Sequence, residues 1–265
     1  MPFPSSLPQL HQTFIEQALP KLMKDARIIG VAASGSYADN SLDDFSDLDL
    51  MIAVEPSTFE SIMEDRQAIA QKLGSMVAGF TGEHVGEPRV LIALYGPEAL
   101  HVDLKFIKVE DASIRVDEPV ILWARDKRLE QALDQGKGQY PTVNDQWIED
   151  RFWVWMHYAG TKIGRGEYFE TLDFLSFLRT QVLGPLALQQ AGYDARGVRK
   201  IEQLLPDFTE KLKKTVCLPE RAPLLEATEC AAQLYLELQS SSIRHCNEAQ
   251  RLSLDYLKAL KSSAP

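Results

Sequence analysis

Three aspartates carry the chemistry available to this sequence. Asp47-Leu48-Asp49-Leu50 opens an apolar run that continues to Val54. In a strand, successive side chains alternate faces, so Asp47 and Asp49 point the same way, with Cα atoms ~7 Å apart. Two carboxylates at that spacing can converge on one or two cations. Left uncompensated they would raise each other's pKa. A bound Mg²⁺ removes that cost, since it takes one or two carboxylates and completes its shell with substrate phosphate oxygens. Leu48 and Leu50 are expected to anchor the strand in the core. A third carboxylate is expected from His101-Val102-Asp103-Leu104-Lys105-Phe106. Alternation puts Val102, Leu104 and Phe106 on the core face and leaves His101, Asp103 and Lys105 looking outward with the aspartate pair.

Phosphate chemistry is suggested upstream. The apolar run from Ile28 ends at Gly35-Ser36. A glycine after a strand allows a tight turn and close approach of the backbone to a ligand. Ser36 is read as the N-cap of a short helix, whose free N–H groups would form an anion site. Asp39, Asp43 and Asp44 in the intervening loop are read as solvated turn formers.

Five β-rich runs must position these groups: Arg27 to Ala33, Leu48 to Val54, Arg89 to Tyr95, Val102 to Val109, and Val120 to Ala124. Each is rich in Val, Ile, Leu or Phe and bounded by residues that end strands. Helical patterns fall at about 9–24 and 57–73. From Gln135 to Val143 two glycines and a proline read as a linker, dividing the chain into domains 1–140 and 141–265. The second domain reads as helical throughout. Phe152, Trp155, Met156, Ala159 and Ile163 form one apolar stripe, and Leu172, Leu175, Leu178, Val182 and Leu183 another. Further helices are expected over about 198–214, 221–240 and 244–261, making a compact helical bundle.

The 265 residues, with a hydrophobic fraction of 45% and a formal net charge of -10, exclude a disordered chain, a collagen-like fibre and a coiled coil. The carboxylate surplus sits almost wholly in residues 1–140. It argues against nucleic acid as a partner, which calls for a cationic face. The three cysteines at 217, 230 and 246 have no disulfide or zinc spacing. The N-terminus has neither the basic start nor the apolar run of a signal peptide, and no stretch reaches ~18 apolar residues. A cytoplasmic protein that does not engage a membrane is expected.

In order along the chain come a strand, Gly35-Ser36, ten intervening residues, Asp47-Leu48-Asp49-Leu50 and a later strand aspartate, Asp103. This combination resembles the nucleotidyltransferase superfamily of the DNA polymerase β type over about residues 20–130. The helical second domain looks, more loosely, like that of the small-molecule members such as the aminoglycoside adenylyltransferases. The resemblance implies an α+β fold: a nucleotidyltransferase-type mixed β-sheet domain followed by an α-helical bundle domain, with the substrates in a cleft between them. It implies that Asp47 and Asp49 hold two Mg²⁺ ions, that Asp103 is a third metal ligand or the general base, and that Gly35 and Ser36 contact the β- and γ-phosphates with Ser46 beside the pair. The co-substrate would be ATP or another NTP, and a nucleoside monophosphate, AMP from ATP in the simplest case, would pass to a hydroxyl of a small acceptor, for which an aminoglycoside-like polycation is one candidate, as pyrophosphate leaves.

Lys105 and Lys162 are candidates for neutralising phosphate charge. The competing reading of Lys162 is a solvated lysine, and that of Asp103 is a surface residue paired with Lys105. Glu149, Asp150 and Glu167 are candidate acceptor-binding carboxylates, or else helix-terminus charges. Phe152 and Trp155 are expected in the core, whereas Trp153, one position off their stripe, is read either as core or as lining a pocket. His101 is the one histidine that alternation places near the carboxylates. The alternative function is a nucleotide-binding regulatory or antitoxin-like module of the same fold with little turnover.

Overall fold

A computed structural model of the chain describes residues 3–262. It divides into two compact units, split between Tyr140 and Pro141. The first is a six-stranded mixed sheet with helices on both faces, and the second is all helical.

The first unit runs α1 (Gln9–Met23), β1 (Ile28–Ala33), β2 (Leu48–Val54), α2 (Phe59–Leu73), β3 (Met76–Gly82), β4 (Glu87–Tyr95), β5 (Leu100–Lys108), β6 (Val120–Ala124) and α3 (Arg128–Asp134). The strand order is β3-β4-β5-β2-β1-β6. The β2–β5 pair is parallel and the other pairs are antiparallel. One face is covered by α1 and α2 over a core that includes Leu48, Leu50, Ile52, Leu91, Val102, Leu104 and Phe106. On the other face, α3 and a 3₁₀ segment (Val109–Ser113) pack on Ile29, Ala32, Met51, Ala53 and Ile107. Asp49 and Asp103 lie on the same face, outside that packed cluster, and are partly buried.

Alternation explains this arrangement. In β5 the even-numbered residues Val102, Leu104 and Phe106 are fully buried, while His101, Asp103 and Lys105 retain exposure. Two elements fall outside the sequence expectations. β3 contains Gly79 and Gly82 and shows solvent its Val77, Ala78 and Phe80, so it lacks the buried apolar alternation of a central strand. The short α3 follows the last strand directly.

The second unit comprises α4 (Asp145–Gly164), α5 (Tyr168–Leu178), a π-helical turn (Arg179–Leu183), α6 (Gly184–Gln190), α7 (Ile201–Leu204), α8 (Pro206–Leu212), α9 (Arg221–Leu238) and α10 (Asn247–Ser262). Asn144 caps α4 by accepting a hydrogen bond from the Trp147 N–H. The helix expected over 198–214 is broken, because Leu205 precedes Pro206 and is driven out of the helical region (φ -134°, ψ 63°). Trp153 is buried in the core, with Phe152 and Tyr235 stacked at 3.7 Å beside it. Trp155 is only partly buried and meets Trp147 and Phe177 edge-on. The pocket-lining reading of Trp153 is therefore corrected, and Trp155 packs against the core from its rim. α4 turns a broader apolar face inward than one stripe describes.

Candidate active site

The site is built on β2 and β5. Their parallel register pairs Asp49 with Asp103, flanked by the buried pairs Leu48–Val102 and Leu50–Leu104. Register partners on neighbouring strands share a face and lie ~5 Å apart, so the two carboxylates stand side by side on one face of the sheet. Asp47 lies one residue before β2. Burial pushes the Asp103 carboxyl above the usual range, the hydrogen bond and charge of His101 pull it back, and the charge of Asp47 pushes it up again. Asp103 therefore feels the charge of Asp47.

His101 Nε2 and Asp103 Oδ1 are 2.9 Å apart. The Asp103–Lys105 pairing considered from sequence is replaced by this contact. Lys105 lies instead 3.0 Å from Glu87, which also binds Arg89 at 2.7 Å. These two cations hold the Glu87 carboxyl down to about 2, the Arg89 hydrogen bond contributing most.

Antiparallel pairing of β1 and β2 brings the Gly35 loop to Asp49, and Ser34 N–H donates to the Asp49 carbonyl at 3.1 Å. Gly35 is left-handed (φ +58°), and a Cβ on it would sit 2.7 Å from Asp49 Oδ2. Glycine suits this position twice over: it takes the backbone angle without steric cost, and it leaves the Asp49 carboxylate where it is, which a Cβ would push aside. No helix opens at Ser36. Residues 35–40 form consecutive turns, closed by Asp39 N–H to Gly35 carbonyl and Ser41 N–H to Ser36 carbonyl.

Ser46 shapes the approach to Asp47. Its hydroxyl donates to Asp43 Oδ1 at 3.0 Å and accepts from the Asp43 N–H at 3.0 Å, while Asp43 also takes the Phe45 N–H. The carbonyl of Ser46 accepts a 2.7 Å hydrogen bond from Nε2 of His11, a buried residue of α1. Sequence reasoning missed His11, since nothing local links it to a loop 35 residues away.

Lys162 belongs to the second unit, where it bonds Glu167 at 2.6 Å and Glu170 at 3.1 Å. Glu149 is buried among four donors: Tyr235 Oη, Gln239 Nε2, Trp153 Nε1 and the Cys246 N–H. Burial pushes its carboxyl up, but these hydrogen bonds outweigh burial and the net direction is down. Glu149 is neither an acceptor-binding group nor a helix-terminus charge, but the hub tying α4 to α9 and the start of α10.

The donor set Asp47, Asp49 and Asp103 is all carboxylate oxygen, which suits a hard divalent cation. Burial first, and the Asp47 charge after it, disfavour an ionised Asp103, and a bound cation would offset both. Among the described residues, no three or more His, Cys, Asp or Glu side chains are clustered tightly enough to hold a metal by themselves. Substrate oxygens would have to complete the shell.

No family model matches the sequence, and no curated protein matches it. Among solved structures the chain is similar to an aminoglycoside 6-adenyltransferase from Bacillus subtilis, with 15% identity and a TM-score of 0.43, over 94% of this chain and 98% of that one. At that TM-score the likeness carries no weight for the chemistry, which rests on the carboxylate face. No helix among the described residues is long and apolar enough to cross a membrane.

Proposed function

We propose that the chain is a Mg²⁺-dependent nucleotidyltransferase that moves a nucleoside monophosphate, AMP from ATP in the simplest case, onto a hydroxyl of a small acceptor and releases pyrophosphate. The observation that carries this reading is the Asp49–Asp103 register pair with Gly35 packed against Asp49. It sets a backbone loop able to approach phosphate beside carboxylates able to share a cation.

In this reading Asp47 and Asp49 hold the metal ions, and Asp103 is a third ligand or the base that takes the acceptor proton. Bound magnesium would neutralise triphosphate charge and favour in-line displacement at the α-phosphorus. The backbone of Gly35 and Ser36 orients the β- and γ-phosphates. Ser46 keeps the Asp47 approach in shape through Asp43. Lys105 supplies positive charge to the triphosphate only by loosening its hold on Glu87. The acceptor oxygen bonds to the α-phosphorus, the α–β anhydride bond breaks, and the proton passes to a carboxylate oxygen and then to solvent. Most of the acceleration would come from positioning and charge neutralisation. An aminoglycoside-like acceptor belongs to the resemblance alone.

Titration calorimetry with ATP, GTP, CTP and UTP, with and without Mg²⁺, tests the reading. Binding of one NTP that requires Mg²⁺ and fails in Asp49→Asn supports it. No Mg²⁺-dependent binding of any NTP overturns it. Tight binding without pyrophosphate release in an acceptor library favours the regulatory module.

A further inference from the structure

The carboxylate row does not stop at Asp103. Register continues it across the sheet: Asp49 of β2 pairs with Asp103 of β5, Asp103 with Ile92 of β4, and Ile92 with Phe80 of β3. One row over, His101 pairs with Leu94 and Leu94 with Ala78. These residues share the face of the carboxylates, because paired residues point to the same side. Phe80 is 56% exposed and Leu94 38% exposed, and the cover of α3 and the 3₁₀ segment lies on other residues of the face. The result is an open apolar shelf that begins one strand beyond Asp103. Its outer edge is marked by the Phe80 ring, tilted against His84 at 5.5 Å.

The line of the reaction says which reactant lies over this shelf. In-line displacement places the attacking oxygen opposite the leaving pyrophosphate. The loop proposed to hold the β- and γ-phosphates follows β1, on one side of Asp49, while the shelf lies on the other side, past Asp103. The nucleoside is bonded off that line. The attacking molecule must therefore arrive over β5, β4 and β3.

We propose that Phe80, Ile92 and Leu94 form the acceptor subsite, and that the acceptor carries an aromatic or hydrocarbon ring two strand spacings, about 10 Å, from the hydroxyl that Asp103 faces. An acceptor whose surface is all ammonium and hydroxyl leaves this shelf wet and gains little from it, whereas a ring buries apolar surface against Phe80. The assignment rests on the transferase reading for its direction but on separate residues for its contacts.

The test uses the full chain with ¹³C-labelled Ile and Leu methyl groups, without metal or nucleotide. 4-Nitrophenyl β-D-glucopyranoside is the probe, a hydroxylated ring bearing an aromatic group. Titration is expected to shift the Ile92 and Leu94 methyl signals, and Phe80→Ala, a change at an exposed position, is expected to weaken the effect roughly tenfold. 2-Deoxystreptamine, whose ring carries an ammonium or hydroxyl group on every carbon but one and so offers no apolar face, is expected to leave these signals in place. Unmoved signals with the aryl glucoside, equal binding by Phe80→Ala, or the same shifts with adenosine each overturn the subsite. Parallel calorimetry with Mg²⁺ and ATP separates the two readings. If ATP binds and the shelf is silent, the subsite alone falls. If the shelf responds and no NTP binds, the transferase reading falls and takes with it the identity of the occupant as an acceptor.

Discussion

Asp49 and Asp103 are register partners on adjacent parallel strands, each bracketed by buried leucine and valine pairs that fix its direction. The strands could not slip by one residue without turning Leu48, Leu50, Val102 and Leu104 into solvent. The placement of the carboxylates is thus secured by the core on the opposite face. Neutralising one of them should consequently cost function without costing the fold. Asp103→Asn removes a partly buried charge that repels Asp47. Its thermal midpoint at pH 7 is expected to equal or exceed that of the parent, while Mg²⁺-dependent turnover drops roughly 100-fold or more. Differential scanning calorimetry and a pyrophosphate-release assay check the two halves. A parallel loss of midpoint and activity would instead make Asp103 a structural residue.

Gly35 offers a sharper comparison because Gly86 supplies its control. Both have positive φ, +58° and +75°, but a Cβ at Gly86 meets nothing within 4 Å whereas one at Gly35 meets Asp49 Oδ2. Alanine at either position should lose about 1–2 kcal/mol to the left-handed backbone. Only Gly35→Ala also displaces the Asp49 carboxylate, so only it should lose Mg²⁺–NTP affinity and turnover. Urea titration of both variants, set beside NTP calorimetry, is the measurement. Equal functional loss in the two would disconnect Gly35 from the site.

Glu149 links the stability of the second unit to pH. Its carboxyl is held below the ordinary range in the folded chain. The stability it contributes is complete above the unfolded value, about 4.3, and is lost as pH falls through the lower folded value. Glu149→Gln keeps the size but sets an amide donor against donors that the carboxylate satisfied. It is expected to cost about 2–3 kcal/mol at neutral pH and to flatten the decline in stability below pH 5. Denaturant midpoints recorded from pH 3 to 7 for both proteins would show the difference shrinking with acid. A constant difference across that range would contradict the assignment.

The elements legible in the sequence were those whose pattern and burial agree. β2 and β6 have the limits their apolar runs suggest, and the outward residues of β5 follow from alternation with Val102, Leu104 and Phe106. β3 was not legible, because an edge strand carrying Gly79 and Gly82 with an exposed Phe80 lacks a buried face to announce it. Glu149 was misread because its donors come from Tyr235, Gln239 and Cys246, some ninety residues away. No local spacing records such a meeting. The turns after Gly35 defeated a capping argument for a similar reason, since the chain had to return to pair with β1.

His11 shows how a remote element can set the site. Its Nε2 donates to the carbonyl of Ser46, the residue before Asp47, and its ring is buried in the core packing of α1. Removing the donor leaves that carbonyl to find water and frees the end of the loop that delivers Asp47. His11→Ala is expected to cost about 2 kcal/mol of stability through the lost bond and the cavity. Its turnover should fall with kcat affected more than the KM for NTP, because Asp47, proposed as a metal ligand, is misplaced while the loop after β1, proposed to hold the phosphates, is untouched. His11→Gln restores an N–H within reach of the carbonyl and should recover much of kcat. Steady-state kinetics on the three proteins, each checked for folding by circular dichroism, decide the matter. If His11→Gln is as impaired in kcat as His11→Ala although it is as stable as the parent, the hydrogen bond to Ser46 is not what positions Asp47.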